Sequence, residues 1–389
     1  MLTRSSQGTE SLGDAVWSAE GTTPDAIEAA LRELVKRRHA ENGGLVPARA
    51  LNMIAFVESG YAGEIANRLA GVGRYHASRL IVLSYDPGRL RLDARAVVST
   101  DSEPAAGEIG LMRETVTVEI GARHLDDLVT IVDPLVVTDL ATLVWSPHGH
   151  PEAVDELLAL AQAVLIDSVD EPSWREAVAR ACELRGRAYV VDLAWLRSIP
   201  WRERVAAAFD SPAMRAELRE IESVSVRYHP DSTVAALLLV SWLGSRLGWE
   251  MSRLRPAGGG LAGSARSGSA HGAGTGGTGS RSTDAGSTGD GSTGGEREIA
   301  IHLEPAPEQE VRGLESVAIA TASGRRVGLR RGAGGLRSRR RDPDGHEHEW
   351  TILGASRGES GILGEGIRQS LLRDPTYGPA LQGAETMTP

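Results

Sequence analysis

Ala50-Leu51-Asn52-Met53-Ile54-Ala55-Phe56-Val57 is an apolar run of strand length, followed by glycine punctuation at Gly60 and Gly63. A helical stretch from Gly63 to Leu69 comes next, and Arg79 to Ser84 is a second buried run. Two strands apolar on both faces and joined by a helix point to a parallel sheet covered by helices. Working outward, the pattern repeats. Pro24 to Ala40 places Ile27, Leu31, Leu34 and Val35 three and four apart, which predicts a helix. Leu90, Leu92, Ala94, Ala96 and Val98 alternate, as do Val116, Val118 and Ile120, so the 90–120 region reads as a hairpin-like pair of half-buried strands. His124 to Val136 reads as helix, Asp139 to Trp145 as buried strand, Ala153 to Leu160 as helix, Ala163 to Ile166 as strand and Trp174 to Leu184 as helix. Glu222 to Tyr228 is one more strand, and Asp231 or Ser232 can cap a helix from Val234 to Leu247. The fold expected over residues 24–255 is α/β, with a mixed, mostly parallel sheet and flanking helices.

The flanking segments read differently. Residues 1–23, rich in Ser, Thr, Gly and acid, are expected as a disordered tail rather than a secretion signal. From Pro256 to residue 296 the composition collapses to Gly, Ser, Thr and Ala, which predicts a flexible linker. Beyond it, Glu298 to Leu303, Val317 to Thr321 and Arg325 to Leu329 read as short strands, and Gly361 to Arg373 as a helix. A small α+β C-terminal module is expected over residues 297–382.

Composition limits the function. The 389 residues carry a net charge of -10, which disfavours binding to nucleic acid or anionic membranes. The longest apolar helix, Val234 to Leu247, is too short for the roughly 20 residues of a bilayer span. A single cysteine, Cys182, excludes an intramolecular disulfide framework, and a cytoplasmic location is expected. Cys182 lies on an amphipathic helix, where a thiol serves as a small apolar filler.

Chemistry-bearing residues gather in few places. Asp192-Leu193-Ala194-Trp195-Leu196-Arg197-Ser198-Ile199-Pro200-Trp201-Arg202-Glu203 concentrates indoles and guanidiniums, the groups that anchor protein contacts, and offers no nucleophile or neutral-pH base. Asp192, Trp195, Arg197, Trp201 and Arg202 therefore form a candidate partner-binding surface; two tryptophans pinning a helix to the sheet is the other reading. Ser78 and Arg79 at a strand entrance mark a ligand-facing or structural turn. Trp145-Ser146-Pro147-His148-Gly149-His150 stands at the end of a strand, where α/β sheets place ligands, so Trp145 and His148 are carried as candidates. His148 and His150 lack the spacing and partners of a metal site, as does His346-Glu347-His348, and no metal is expected. Gly60 and Gly63 lack the dinucleotide fingerprint, there is no G-K-[ST], and no cofactor is expected. Residues 325–341 hold eight arginines and no acid, suited to an acidic partner face or a phosphate, or to a solvated hairpin.

Three blocks carry a family resemblance. His76-Ala77-Ser78-Arg79-Leu80-Ile81-Val82 is followed by Arg91-Leu92-Asp93-Ala94; Asp139-Leu140-Ala141-Thr142-Leu143-Val144-Trp145 is followed by Pro147; and Asp192-Leu193-Ala194-Trp195 runs to Pro200-Trp201-Arg202. In order and approximate spacing they resemble the OpcA family, the glucose-6-phosphate dehydrogenase assembly proteins. More loosely, Glu365 to Leu381, with Asp374 and Tyr377, is similar to the family's C-terminal helix. Ala77 stands where proline is expected, Ser146 where many relatives carry a second tryptophan, and Cys182 alone supplies no cysteine pair for redox control. The resemblance implies a non-enzymatic assembly factor or allosteric activator whose partner is glucose-6-phosphate dehydrogenase. The alternative is an α/β sugar-phosphate- or nucleotide-binding sensor, or an enzyme, with its site at the strand ends around His148.

Overall fold

The computed structural model describes residues 14–73, 78–100, 108–147, 149–267, 297–354 and 358–389. They fall into two compact units, one built from residues up to 197 with 358–374, the other from 198–354 with 375–389.

The first unit opens with β1 (Ala15–Ala19), α1 (Pro24–Glu41), β2 (Leu45–Pro47), β3 (Leu51–Glu58), α2 (Ala62–Gly73) and β4 (Ser78–Tyr85). It continues through β5 (Asp93–Thr100), β6 (Gly110–Ile120), α3 (Leu128–Val132), β7 (Thr142–Trp145), α4 (Pro151–Leu157), β8 (Ala163–Ile166), α5 (Trp174–Arg185), β9 (Tyr189–Asp192) and α6 (Leu193–Arg197). The strands form one sheet in the order β1-β5-β6-β4-β3-β7-β8-β9, with β2 beside β6. From β6 to β9 all neighbours run parallel, and β5 pairs antiparallel with β6 and β1. The mixed, mostly parallel α/β sheet is therefore present, hairpin included.

Strand β3 sits at its centre and is buried on both faces from Leu51 to Val57. The one polar group in that run, Asn52, is fully satisfied. Its amide donates to Val137 O at 3.0 Å and Thr142 Oγ1 at 3.2 Å, and its oxygen accepts from Val137 N at 3.0 Å. Ser173 caps α5 by accepting from Glu176 N at 3.2 Å.

Part of the expected N-terminal tail is a strand, and residues 1–13 of it lie outside the described residues. Ala15–Ala19 pairs with Ala94–Val98 as an edge strand, because alternating small and apolar residues there gain a ladder and bury Ala15.

The second unit contains α7 (Ile199–Ala208), α8 (Pro212–Glu217), β10 (Ile221–Tyr228), α9 (Thr233–Leu247), β11 (Trp249–Met251), β12 (Arg255–Ala257) and β13 (Gly260–Ser267). After the undescribed residues come β14 (Glu298–Pro305), β15 (Leu314–Thr321), β16 (Arg326–Gly332), β17 (Gly335–Arg341) and β18 (Glu347–Leu353). Helix α10 (Gly358–Leu372) belongs to the first unit and α11 (Tyr377–Met387) to the second. The sheet order is β11-β13-β14-β10-β15-β16-β17-β18, with β12 on β13.

Two expectations change here. Residues 256–267, predicted to open the linker, complete β12 and form β13: backbone pairing to β14 needs no large side chain, and small residues suit the close approach of Gly260 to Leu303 O. The rest of the predicted linker, 268–296, lies outside the described residues. Strands after residue 297 are not a separate module either, since β10 pairs with both β14 and β15 and draws them into its own sheet.

One face of this sheet is apolar. Val224, Val226, Ile301, Val317, Ile319 and Leu329 are all buried, and Leu239, Val240 and Leu243 of α9 pack with Val205 of α7 against them. Helix α9 is buried over nearly its whole circumference and ends at Gly248, whose φ of 68° suits glycine. Helix α11 packs on α9 through Gly383, where a Cβ would meet Ser241 Cβ at 3.1 Å.

Candidate functional site

Strand β9 ends in Asp192, which is completely buried. Its carboxylate accepts from Ser168 Oγ at 2.5 Å, Ser168 N at 3.2 Å and Ala194 N at 2.9 Å. Burial pushes its pKa up to about 6, against the opposing pull of the Ser168 hydroxyl, with the charge of Asp167 adding to the rise. The bond to Ala194 N fixes the first turn of α6, which carries Trp195 and Arg197.

Those two side chains reach α10. Trp195 Nε1 donates to Asp374 Oδ2 at 2.9 Å. Arg197 forms a two-pronged pair with Asp167, at 2.8 and 2.6 Å, and a second with Glu359 at 3.1 and 2.8 Å. Asp374 N donates to Tyr189 Oη at 2.5 Å. Arg373 just before it holds a left-handed φ of 56°, unusual outside glycine, and lays its guanidinium 5.5 Å over the Tyr189 ring. Gly366 lets α10 settle against the sheet, for a Cβ there would stand 2.9 Å from Leu165 Cδ1. The arrangement is a brace that holds the returning helix α10 on β8, β9 and α6.

The expected docking surface is thus largely interior. Asp192, Trp195, Trp201 and Arg202 are 0, 2, 3 and 9% exposed. Trp195 and Trp201 are buried beside Leu193, Leu196 and Val205 of the same helices, where an indole adds the largest apolar area. Arg202 turns its Nε inward to Ser198 Oγ at 3.1 Å. Only Arg197 keeps a quarter or so of its side chain in solvent, and both its prongs hold carboxylates. The division between the units falls between Arg197 and Ser198, so the five residues do not form one cluster in either unit.

Ser78 begins β4, and Arg79 is buried with Glu114 (2.7 Å), Glu28 (3.1 Å) and Leu135 O (2.9 Å), so this turn is structural. Glu114 also takes Arg49 Nε at 2.8 Å. Such a buried, multiply bonded ion cluster fixes the position of α1 on the sheet.

The parallel sheet changes winding direction between β3 and β7, where open α/β sheets leave a ligand crevice. Trp145 is buried at the end of β7, and His148 lies outside the described residues. Phe56, Tyr85 and His150 fill these strand ends, with ring centroids 4.9 Å (Phe56–His150), 5.7 Å (Tyr85–His150) and 5.4 Å (Phe56–Tyr85) apart. His150 Nε2 lies 3.8 Å from Glu58 Oε1. Among the described residues no group of three or more potential metal ligands assembles. No helix of the described residues is long and apolar enough to cross a membrane.

Sequence comparison adds the biological context. A family model described as the glucose-6-phosphate dehydrogenase subunit N-terminal domain matches residues 70–183, and one described as the C-terminal domain of that subunit matches 188–272. The protein named "Putative OxPP cycle protein OpcA" from Nostoc punctiforme is 31% identical over 141 residues, covering 35% of this chain and 30% of that protein. The protein of the same name from Synechococcus elongatus is 29% identical over 150 residues, 38% of this chain and 34% of its own. The match thus spans about a third of the length of these curated relatives. Among solved structures, scyllo-inositol dehydrogenase from Lactobacillus casei aligns at 13% identity and a TM-score of 0.41, over 88% of this chain and 96% of that one, a likeness too low to carry an argument.

Proposed function

Because the chain belongs to the OpcA family of glucose-6-phosphate dehydrogenase subunits, we propose that it is a non-catalytic subunit that assembles with or activates that dehydrogenase, at the entry to the oxidative pentose phosphate pathway. The observation that carries this reading is the pair of subunit-family matches in consecutive order across residues 70–272. The geometry agrees with it. At the crevice position of the parallel sheet the chain's own Phe56, Tyr85 and His150 pack together in tilted and edge-on contacts, and the acidic and basic groups of the β9–α10 brace are spent on one another. A subunit of this kind acts by binding one conformation or oligomer of the enzyme more tightly than another; a difference of about 1–3 kcal/mol shifts an equilibrium 5- to 150-fold.

Mixing the purified chain with the dehydrogenase and passing the mixture through size exclusion tests the reading. A co-eluting complex with altered affinity for the sugar phosphate supports it. Separate elution with unchanged kinetics refutes it.

A further inference from the structure

The sheet of the second unit has a second face. Cα register places three rows of side chains on it, each running across β14, β10, β15, β16, β17 and β18. The first row runs from Ala300 to Glu347, the second from His302 to Glu349 and the third from Glu304 to Thr351. Its centre is unusually smooth: Ala300, Ser223, Ser225, Ser316, Ala318 and Ala320 occupy it, and Ala318 is exposed. The α7 and α9 side chains that pack on this sheet lie on the opposite, apolar face.

Beside this flat block stands a bank of positive charge. Arg326 and Arg330 of β16 and Arg337, Arg339 and Arg341 of β17 project from the same face, against only Glu347 and Glu349 on β18. On β17 the pairs are exposed ones, Arg337 with Glu349 at 3.3 Å and Arg339 with Glu347, and such pairs exchange readily for a partner's carboxylates, whereas Arg330 on β16 holds the buried Glu315 at 2.7 Å. In a chain of net charge -10 this concentration is local.

We propose that this open, arginine-banked sheet face is the surface on which the partner enzyme docks, and that the partner presents a flat patch with clustered carboxylates to it. The assignment rests on the functional reading above and adds the surface. Charge selects the occupant. The opposite flank carries Glu298, Glu304 and Glu308, and Arg266 and Arg227 stand beside them, with Glu308 held by Arg227 at 2.6 Å, so a second copy docking through the same face offers few free carboxylates to neutralise the bank. Five strand spacings of about 4.8 Å and three rows along the strands give a patch of roughly 500 Å². That is at the low end for a specific interface and implies a reversible, salt-sensitive complex.

Two variants of the full chain test this, Ala318→Trp on the smooth block and Arg337→Glu combined with Arg339→Glu on the bank. Both point to solvent, and circular dichroism and thermal melts check that each stays folded. Titrated against the dehydrogenase, each should bind at least 10-fold more weakly than wild type, and wild-type affinity should fall steeply between 50 and about 300 mM salt. Binding by both variants within twofold of wild type overturns the surface while leaving the functional reading intact. A wild-type dimer that Ala318→Trp converts to monomer overturns it too, by making the face a seat for a second copy. If wild type fails to bind the dehydrogenase at all, the functional reading falls, and this assignment with it.

Discussion

Trp195 Nε1 donates a 2.9 Å hydrogen bond to the carboxylate of Asp374, a residue 179 positions later in the chain. That single contact ties the end of α10 to the helix that follows β9, and it explains why an indole sits in a site that looked built for docking. The bond orders the chain's own return rather than a partner.

Replacing Trp195 therefore acts on stability. Trp195→Ala should destabilise the first unit by about 3–5 kcal/mol, the usual cost of deleting a buried aromatic. Trp195→Phe keeps most of the packing and should cost about 1–3 kcal/mol, because Asp374 loses its donor. Urea midpoints measure both. The folded fraction of Trp195→Phe should bind the dehydrogenase as wild type does; a selective loss of binding at full stability would restore Trp195 as a contact residue.

Asp192 makes stability depend on pH in an unusual direction. Its folded pKa of about 6 lies above the ordinary 3.8, so the folded state holds this proton more tightly than the unfolded state. Stability from this group is then fully present below about pH 4, declines as pH rises, and is gone above about pH 6. Asp192→Asn, which removes the charge, should flatten the dependence of the urea midpoint on pH between 4 and 7 by on the order of 1–3 kcal/mol. Identical slopes for wild type and variant would show that the carboxyl titrates normally.

Gly366 inverts a helix rule. Exchanging an exposed mid-helix glycine for alanine ordinarily stabilises by about 1 kcal/mol. Here the new Cβ would stand 2.9 Å from Leu165 Cδ1 and 3.3 Å from Leu193 Cδ2, and Gly366→Ala should lower the melting temperature instead. A higher melting temperature would mean α10 rests less closely on β8 and α6.

Much of the first unit was legible because its strands are buried on both faces, and long apolar runs such as Leu51 to Val57 admit few other readings. The second unit was harder. Ala257 to Ser267 has the composition of a linker, yet β13 is held by main-chain bonds that composition does not encode. Strand β17 was hidden the same way, since Arg337, Ser338, Arg339 and Arg340 carry weak strand propensity. The clue present was alternation: Leu336 and Ser338 turn inward while Arg337, Arg339 and Arg341 turn out. At the brace, the sequence singles out Trp195 and Arg197, but Glu359 and Asp374 join them only after the whole sheet of the second unit has been traversed, a separation no local pattern reveals.

The steady-state kinetics of glucose-6-phosphate dehydrogenase with and without this chain, at matched enzyme concentration, test the central claim most directly. A saturable change in the Michaelis constant for the sugar phosphate or in turnover, reached at a fixed molar ratio and diminished by Arg337→Glu with Arg339→Glu, is the predicted result. Unchanged kinetics across excess chain, with no turnover-competent complex formed, would contradict it.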